Sequence, residues 1–218
     1  RERSLAENEL SDFWSVVDKT RISKGVRLAL WLLLVTAQRR AEVAGIAIGE
    51  IDLVNAVWII SGNRTKNTNQ HKVPLSDLAV SIIREAITEA AKVSKCSVDE
   101  VEFLFPSRAN QKEGIRPIQP STLSTALIRA ENEIGKRITP HDLRRTAHTI
   151  MGSETLGVPR FIRDKILNHS DRTPGAHYDV NEYLPEKRKA LDAWGEFLSE
   201  KIRLESGNVV ELGVVRDA

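Results

Sequence analysis

The sequence predicts an α+β fold that is mainly α-helical and carries one small antiparallel β-sheet. Apolar residues recur at helical spacing along most of the 218-residue chain. A single region, residues 50–75, instead has β-branched runs bounded by Gly and Asn turn signals. No repeat, low-complexity tract or internal linker interrupts the pattern, and this length suffices for one well-buried core.

The N-terminal part of the chain predicts two helices of different character. Residues 5–19 are amphipathic, whereas residues 24–37 are apolar nearly all round, as in a helix buried in a core. Arg39 and Glu42 follow directly after this buried helix. An arginine beside a core element is either paired or functional, so this position is a candidate for a site.

The predicted sheet comes next, as two or three short antiparallel strands. The strand signals lie around residues 50–52, at 57–60 and at 71–75. Turn residues at 61–63 and 67–69 separate the last two, which places Lys66 near a hairpin turn.

Five further helices are predicted after the sheet, the third of them with Thr139 as N-cap and Pro140 at its first position. Ser76 is the expected cap of the first helix, which runs to about Ser94, and Ser121 is the expected cap of the second, which runs to about Ile134. The other three are expected from Pro140 to before Gly157, from Pro159 through Leu167, and over 186–204.

The helix that begins at Pro140 presents a polar stripe. His141, Arg144 and His148 are spaced i, i+3 and i+7 and share a face, while Leu143 belongs to an apolar face that anchors the helix. The neighbouring Arg145 points elsewhere, so Arg144 is the candidate for a site. A helix with a basic solvent face explains this stripe equally well when the helix is considered alone.

The chain also contains the groups that metal-free transfer of a phosphodiester to tyrosine requires. A phenol has a pKa of about 10, so an attacking tyrosine needs a base or a cationic field. His141 is a candidate base, and His169 a candidate hydrogen-bond donor to a phosphate oxygen. Arg39 and Arg144 suit a grip on one phosphate. A lysine on a mobile hairpin suits protonation of the leaving hydroxyl.

These residues match a known family. The segment 36–42, the pair His141-x-x-Arg144, His169 and a tyrosine nine residues later resemble the catalytic domain of tyrosine recombinases (the phage integrase family), especially prophage and genomic-island integrases. The resemblance covers essentially the whole chain. It implies that Tyr178 is the nucleophile and that Glu42 helps to hold the first arginine. The remaining implied active-site residues are Arg39, Lys66, His141, Arg144 and His169.

The resemblance has two local departures and one large one. Ala37 and Asn168 each stand where the family usually has glycine, and we expect altered backbone detail there with activity retained. We expect the chain to be a fragment that lacks the family's N-terminal core-binding domain and therefore binds DNA weakly. Residues 1–204 would form the catalytic domain, and residues 205–218 a tail exchanged with a neighbouring protomer.

The implied function is site-specific recombination that integrates or excises a mobile element through a 3′-phosphotyrosyl intermediate, with no metal or nucleotide cofactor. The implied partners are double-stranded DNA attachment sites, other protomers in a tetramer on DNA, and an accessory DNA-bending or excision factor. Without DNA the fragment is expected to be a monomer. Two alternatives remain: DNA relaxation of the type IB topoisomerase kind, and a DNA-binding module that has lost catalysis.

Composition sets the remaining expectations. The single Cys96 fits a reducing compartment, and the longest apolar run, 28–35, is far shorter than the ~20 residues that cross a membrane. We therefore expect the bacterial cytosol, with association with the nucleoid during activity. The net charge of +2 is weak evidence for a polyanion, although three basic segments would form a phosphate-binding face if they converge.

Several residues compete with the candidates or lie near them. Tyr183 is the alternative nucleophile and is expected to pack near the last helix, and Arg64 and Lys72 are alternatives to Lys66. We expect His148 and His177 to be neighbours of the site, and His71 to lie on the surface.

Overall fold

The computed structural model describes residues 3–109, 111–169 and 181–206. Tyr178 and His177 lie outside these ranges, as does nearly all of the expected tail. The helices described are α1 (Glu7–Lys19), α2 (Lys24–Thr36), α3 (Arg40–Ala44), α4 (Asp77–Ser94), α5 (Pro120–Ile134), α6 (Pro140–Met151), α7 (Arg160–Ile166) and α8 (Leu184–Ser206). The strands are β1 (Ile51–Asp52), β2 (Val57–Ile60) and β3 (His71–Pro74).

Helix α2 is the centre of the fold. Its apolar residues from Leu28 to Val35 are fully buried except Trp31, as expected for a helix that is hydrophobic all round. It packs against α1, α4, α5, α6 and α8. One carbonyl of its last turn, that of Leu34, accepts a hydrogen bond of 3.1 Å from the buried Trp194 Nε1 of α8.

The sheet is small and antiparallel, with strand order β1-β2-β3. Ile60 pairs with His71 where β2 and β3 leave the sheet, and residues 61–70 form the connecting loop that carries Lys66. Thr65 Oγ1 donates to the carbonyls of Gly62 and Asn69 at 3.0 and 2.8 Å, which ties the two ends of this loop together. Hydrogen bonds within the loop therefore help to fix its conformation.

The predicted fold class is confirmed: the protein is mainly helical with a small antiparallel sheet. Thr139 is the N-cap of α6, as predicted, and accepts a hydrogen bond from the Asp142 amide. Two expectations were wrong. Helix α5 begins at Pro120 with Gln119 as its N-cap, so Ser121 is inside the first turn, and His71 is buried rather than on the surface.

No helix in the described ranges is long and apolar enough to cross a membrane.

Candidate active site

Arg39 is positioned by the short helix that it precedes. Its backbone amide donates to Glu42 Oε2 at 2.8 Å, and its Nη1 donates to Glu42 Oε1 at 2.9 Å. The Glu42 side chain is 1% exposed, whereas that of Arg39 is 27% exposed. A buried carboxylate therefore holds an arginine whose guanidinium still reaches the surface.

Arg144 is a buried cation held by the ends of two helices. Its Nη1 donates to the carbonyl of Ala37, just after α2, at 2.7 Å, and its Nη2 donates to the carbonyl of Leu167, just after α7. The C-terminal end of a helix carries partial negative charge and unpaired carbonyls, so both contacts favour the cation. Burial, followed by repulsion from Arg39, lowers the pKa of Arg144 to about 9, and it stays protonated at neutral pH.

Three consecutive carbonyls at the end of α7 organise the site. The Ile166 carbonyl accepts from Gln38 Nε2 at 3.1 Å and from His71 Nε2 at 3.0 Å. The next two accept from the arginines: that of Leu167 from Arg144, and that of Asn168 from Arg39 Nη2 at 3.1 Å. Segments more than 90 residues apart thus meet at one turn of backbone.

Gln38 and His71 are residues that the sequence analysis missed. Both are buried polar groups, 0% and 5% exposed, and both donate to the end of α7. Burial, with the positive charge of Lys187, lowers the pKa of His71 to about 3, so His71 is neutral at physiological pH. The only feature of the sequence that pointed to a role for Gln38 in the site is its position next to Arg39. No feature of the sequence pointed to such a role for His71.

His169 lies beside the two arginines, on the exposed side of the site. Its Nδ1 is 3.2 Å from Asp164 Oδ1, and its backbone amide donates to the Asp164 carbonyl at 3.0 Å. Asp164 Oδ1 also lies 3.4 Å from His148 Nε2, so His148 is a neighbour of the site, as expected. Burial and then Arg144 lower the pKa of His169. Contact of Nδ1 with the carboxylate leaves Nε2 as the nitrogen for a ligand.

His141 occupies the second position of α6 and is exposed. Burial of part of the ring lowers its pKa, and Arg145 and Arg144 lower it further. The neutral imidazole, which is the form that accepts a proton, is therefore favoured. On the opposite face of α6, Leu143 and Ala147 are 0% exposed, so the predicted apolar anchor is present.

Lys66 is exposed on the β2–β3 loop and makes no hydrogen bond or ion pair with another described residue. The two competing cations are engaged: Arg64 pairs with Glu50 and donates to a backbone carbonyl, and Lys72 pairs with Glu182 at 2.9 Å. Of these three cationic side chains, Lys66 is the one that is available to a ligand.

The two positions where glycine is usual share an uncommon backbone conformation. Ala37 has φ of 56° and Asn168 has φ of 47°, both in the left-handed region that glycine adopts most easily. The carbonyls of these two residues are the ones that accept from Arg144 and Arg39. The left-handed turn at each position thus belongs to the framework that holds the arginines.

Tyr183 packs at the start of the last helix, as expected. Its ring meets Phe161 edge to face, with centroids 4.8 Å apart, and Lys165 Nζ lies 5.3 Å from its centroid. These contacts give Tyr183 a structural role between α7 and α8.

The site thus brings Arg39 and Arg144 to the end of α7, beside His169. The model for the phage integrase family matches residues 3–183, and the chain belongs to this family. It is 30% identical over 209 residues to the prophage integrase IntA of Escherichia coli K12, covering 95% of this chain and 46% of that protein. It is 25% identical over 170 residues to the tyrosine recombinase XerA of Pyrococcus horikoshii, covering 78% and 53%.

Solved structures share the fold. The Tn1549 transposon integrase in complex with a circular intermediate DNA gives a TM-score of 0.65 at 19% identity, covering 83% of this chain and 62% of that chain. The XerH site-specific recombinase bound to difH substrate gives 0.61 at 19% identity, covering 78% and 48%. The chain spans about half the length of the curated relatives that it matches.

Proposed function

We propose that the chain is the catalytic domain of a site-specific DNA recombinase, an integrase that inserts or excises a mobile element such as a prophage. The observation that carries this proposal is the convergence of Arg39, Arg144 and His169 on the last turn of α7. Two guanidinium groups beside an imidazole suit the non-bridging oxygens of a phosphodiester and the negative charge that develops on them during attack. The Tn1549 integrase was solved in complex with a circular intermediate DNA and XerH was solved bound to its difH substrate, which supports DNA as the partner.

The first chemical step assigns a role to each group. The Tyr178 oxygen attacks the phosphorus, and its proton passes to neutral His141. The bond between phosphorus and the 5′ oxygen breaks as Lys66 gives a proton to that oxygen, which leaves as a hydroxyl. Arg39, Arg144 and His169 neutralise the charge that spreads over the non-bridging oxygens.

The second step reverses the first on a new strand. A 5′-hydroxyl from the partner duplex attacks the phosphotyrosyl phosphorus, and the phenol is released as the proton transfers run backwards. The covalent intermediate conserves the energy of the phosphodiester bond, so the exchange proceeds without a nucleotide cofactor. In this proposal Glu42 is a positioning residue, because it acts through Arg39.

The assembly follows from the same proposal. Protomers act as a tetramer on two double-stranded attachment sites in the bacterial cytoplasm, at the nucleoid, with an accessory DNA-bending or excision factor. Residues 1–204 supply the catalytic domain, and residues 205–218 pass to a neighbouring protomer.

The test is covalent capture by the full-length protein. A nicked duplex that carries the border sequence of the encoding element traps the intermediate, because the short strand after the nick is lost on cleavage. A protein–DNA adduct on a denaturing gel that Tyr178→Phe abolishes and Tyr183→Phe leaves intact is the expected result. An adduct that requires Tyr183 would refute the assignment of the nucleophile.

The same duplex distinguishes the other activities. Relaxation of supercoiled plasmid without exchange between two attachment sites would assign the protein to the topoisomerase class. Tight site-specific binding with no adduct would assign it to the binding modules.

A further inference from the structure

The hairpin loop and the α7 end are joined by a pair of asparagine side chains. Asn67 Nδ2 donates to Asn168 Oδ1 at 2.7 Å, and Asn168 Nδ2 donates to Asn67 Oδ1 at 3.3 Å. Each carboxamide is both donor and acceptor, so two of them can form this reciprocal pair. The partners are 101 residues apart in sequence.

Both asparagines are adjacent to groups of the proposed reaction. Asn67 follows Lys66 directly, and Asn168 precedes His169 directly. The backbone carbonyl of Asn168 also accepts from Arg39 Nη2 at 3.1 Å. One residue therefore contacts the loop through its side chain and an arginine of the phosphate site through its backbone.

The rest of the loop is fixed near its base. Arg64 Nη2 donates to the Glu42 carbonyl at 2.7 Å, and Thr65 closes the loop on itself. Lys66 itself and residues 68–70 are exposed, whereas Asn67 is half-buried. Among the side-chain contacts of the described residues, the asparagine pair is thus the one that fixes the tip of the loop to the end of α7.

We propose that Asn67 and Asn168 form a positioning pair that sets the distance between the Lys66 ammonium and the phosphate held by Arg39. This inference rests on the proposed function. It also explains why asparagine stands at position 168: asparagine tolerates the left-handed backbone there, as glycine does, but glycine has no side chain to hold the loop. The pair holds the proton donor ready before cleavage begins.

The test compares two leaving groups. In one nicked duplex the scissile phosphate has its normal 5′-bridging oxygen, and in the other a 5′-bridging sulfur. A thiolate is a far weaker base than an alkoxide, so the sulfur leaves without help from a general acid. Asn67→Ala and Asn168→Gly should slow adduct formation about tenfold or more on the oxygen substrate and less than about threefold on the sulfur substrate.

The pair also predicts coupling between its members. The double variant should be no slower than the slower single variant, because either substitution alone breaks the contact. Asn69→Ala removes an exposed amide from the same loop and should react at the rate of the wild type on both substrates. Lys66→Ala removes the proton donor completely, so its rate of adduct formation gives the largest slowing that loss of the donor can cause.

Three results would overturn the positioning role. They are equal slowing of Asn67→Ala on both substrates, an unchanged rate for Asn168→Gly, and additive effects in the double variant. Failure of the recombinase proposal gives a different pattern, in which the wild type forms no Tyr178-dependent adduct with either substrate, and this pattern would overturn both proposals together. Thermal unfolding of each variant confirms that the fold is retained.

Discussion

Lowering the pH should destabilise this protein through His71. His71 is 5% exposed, and its Nε2 donates to the Ile166 carbonyl at 3.0 Å. Protonation would create a buried cation close to Lys187, Arg144 and Arg39. Protonation of His71 is therefore unfavourable in the folded state, where its pKa of about 3 lies well below the ~6.5 of a histidine in the unfolded chain.

The sign and size follow from this difference in pKa. Between pH 6.5 and about 3 the unfolded state binds more protons than the folded state, so stability is complete above pH 6.5 and is lost as the pH falls. Each pH unit in this window costs about 1.4 kcal/mol, so at pH 5 the loss from His71 is about 2 kcal/mol. In a domain of this size that corresponds to a fall in Tm of roughly 4–8 °C.

Urea denaturation at pH 7.5 and pH 5.0 measures this loss for the wild type and for His71→Gln. Glutamine retains an N–H donor for the Ile166 carbonyl but does not titrate, so the variant should lose about 2 kcal/mol less than the wild type over this interval. The pKa values of His141, His148 and His169 are also lowered, and because these residues are present in both proteins, their effects cancel in the comparison. Equal losses in both proteins, or an NMR titration of His71 near pH 6.5, would refute the reasoning.

Three further changes test other parts of the structure. Glu42→Gln removes the charge that holds Arg39 and should lower the free energy of unfolding by about 2 kcal/mol in urea denaturation, with slower adduct formation. Trp194→Phe leaves a carbonyl of α2 without its donor and should also cost about 2 kcal/mol by the same measurement. Gly62→Ala would place a Cβ atom in a steric clash with the Thr68 carbonyl oxygen, so the lysine loop must shift and adduct formation should slow about tenfold or more with the nicked duplex.

Matched controls separate these effects from general damage. Glu182→Gln removes an exposed acid that pairs with Lys72 and should change stability by about 0.5 kcal/mol or less. A Cβ atom at Gly25 would meet nothing within 4 Å, so Gly25→Ala should leave adduct formation unchanged. Unchanged stability in Glu42→Gln would contradict the role of Glu42 in holding Arg39. A wild-type rate of adduct formation in Gly62→Ala would contradict the dependence of cleavage on the position of the lysine loop.

Sequence patterns predicted the elements of the fold well, and the errors have local causes. The start of α5 was wrong because the residue before a proline favours an extended backbone, and Gln119, before Pro120, becomes the N-cap. The burial of His71 depends on α7, whose contacting carbonyl lies 95 residues further along the chain. No pattern within β3 carries that information.

The candidate site was predicted in part. The spacing of His141 and Arg144 and the position of Arg39 identified side chains that the structure places on one framework. Their acceptors were not predictable, because a backbone carbonyl has no residue identity to recognise. The hydrogen bond between Asn67 and Asn168 was not predictable either, because each asparagine, taken alone in the sequence, resembles an ordinary turn residue.

The carbonyls at the end of α7 have a consequence for the way this site tolerates mutation. Substitution removes a side chain but leaves the peptide oxygen in place, so the acceptors for Arg144 and His71 persist whatever apolar residues occupy positions 166 and 167. In a mutational scan the donors would be sensitive even to conservative changes, whereas positions 166 and 167 would accept apolar residues of similar size. Only a change that displaces the helix itself, such as a proline within α7, would remove all of these contacts at once.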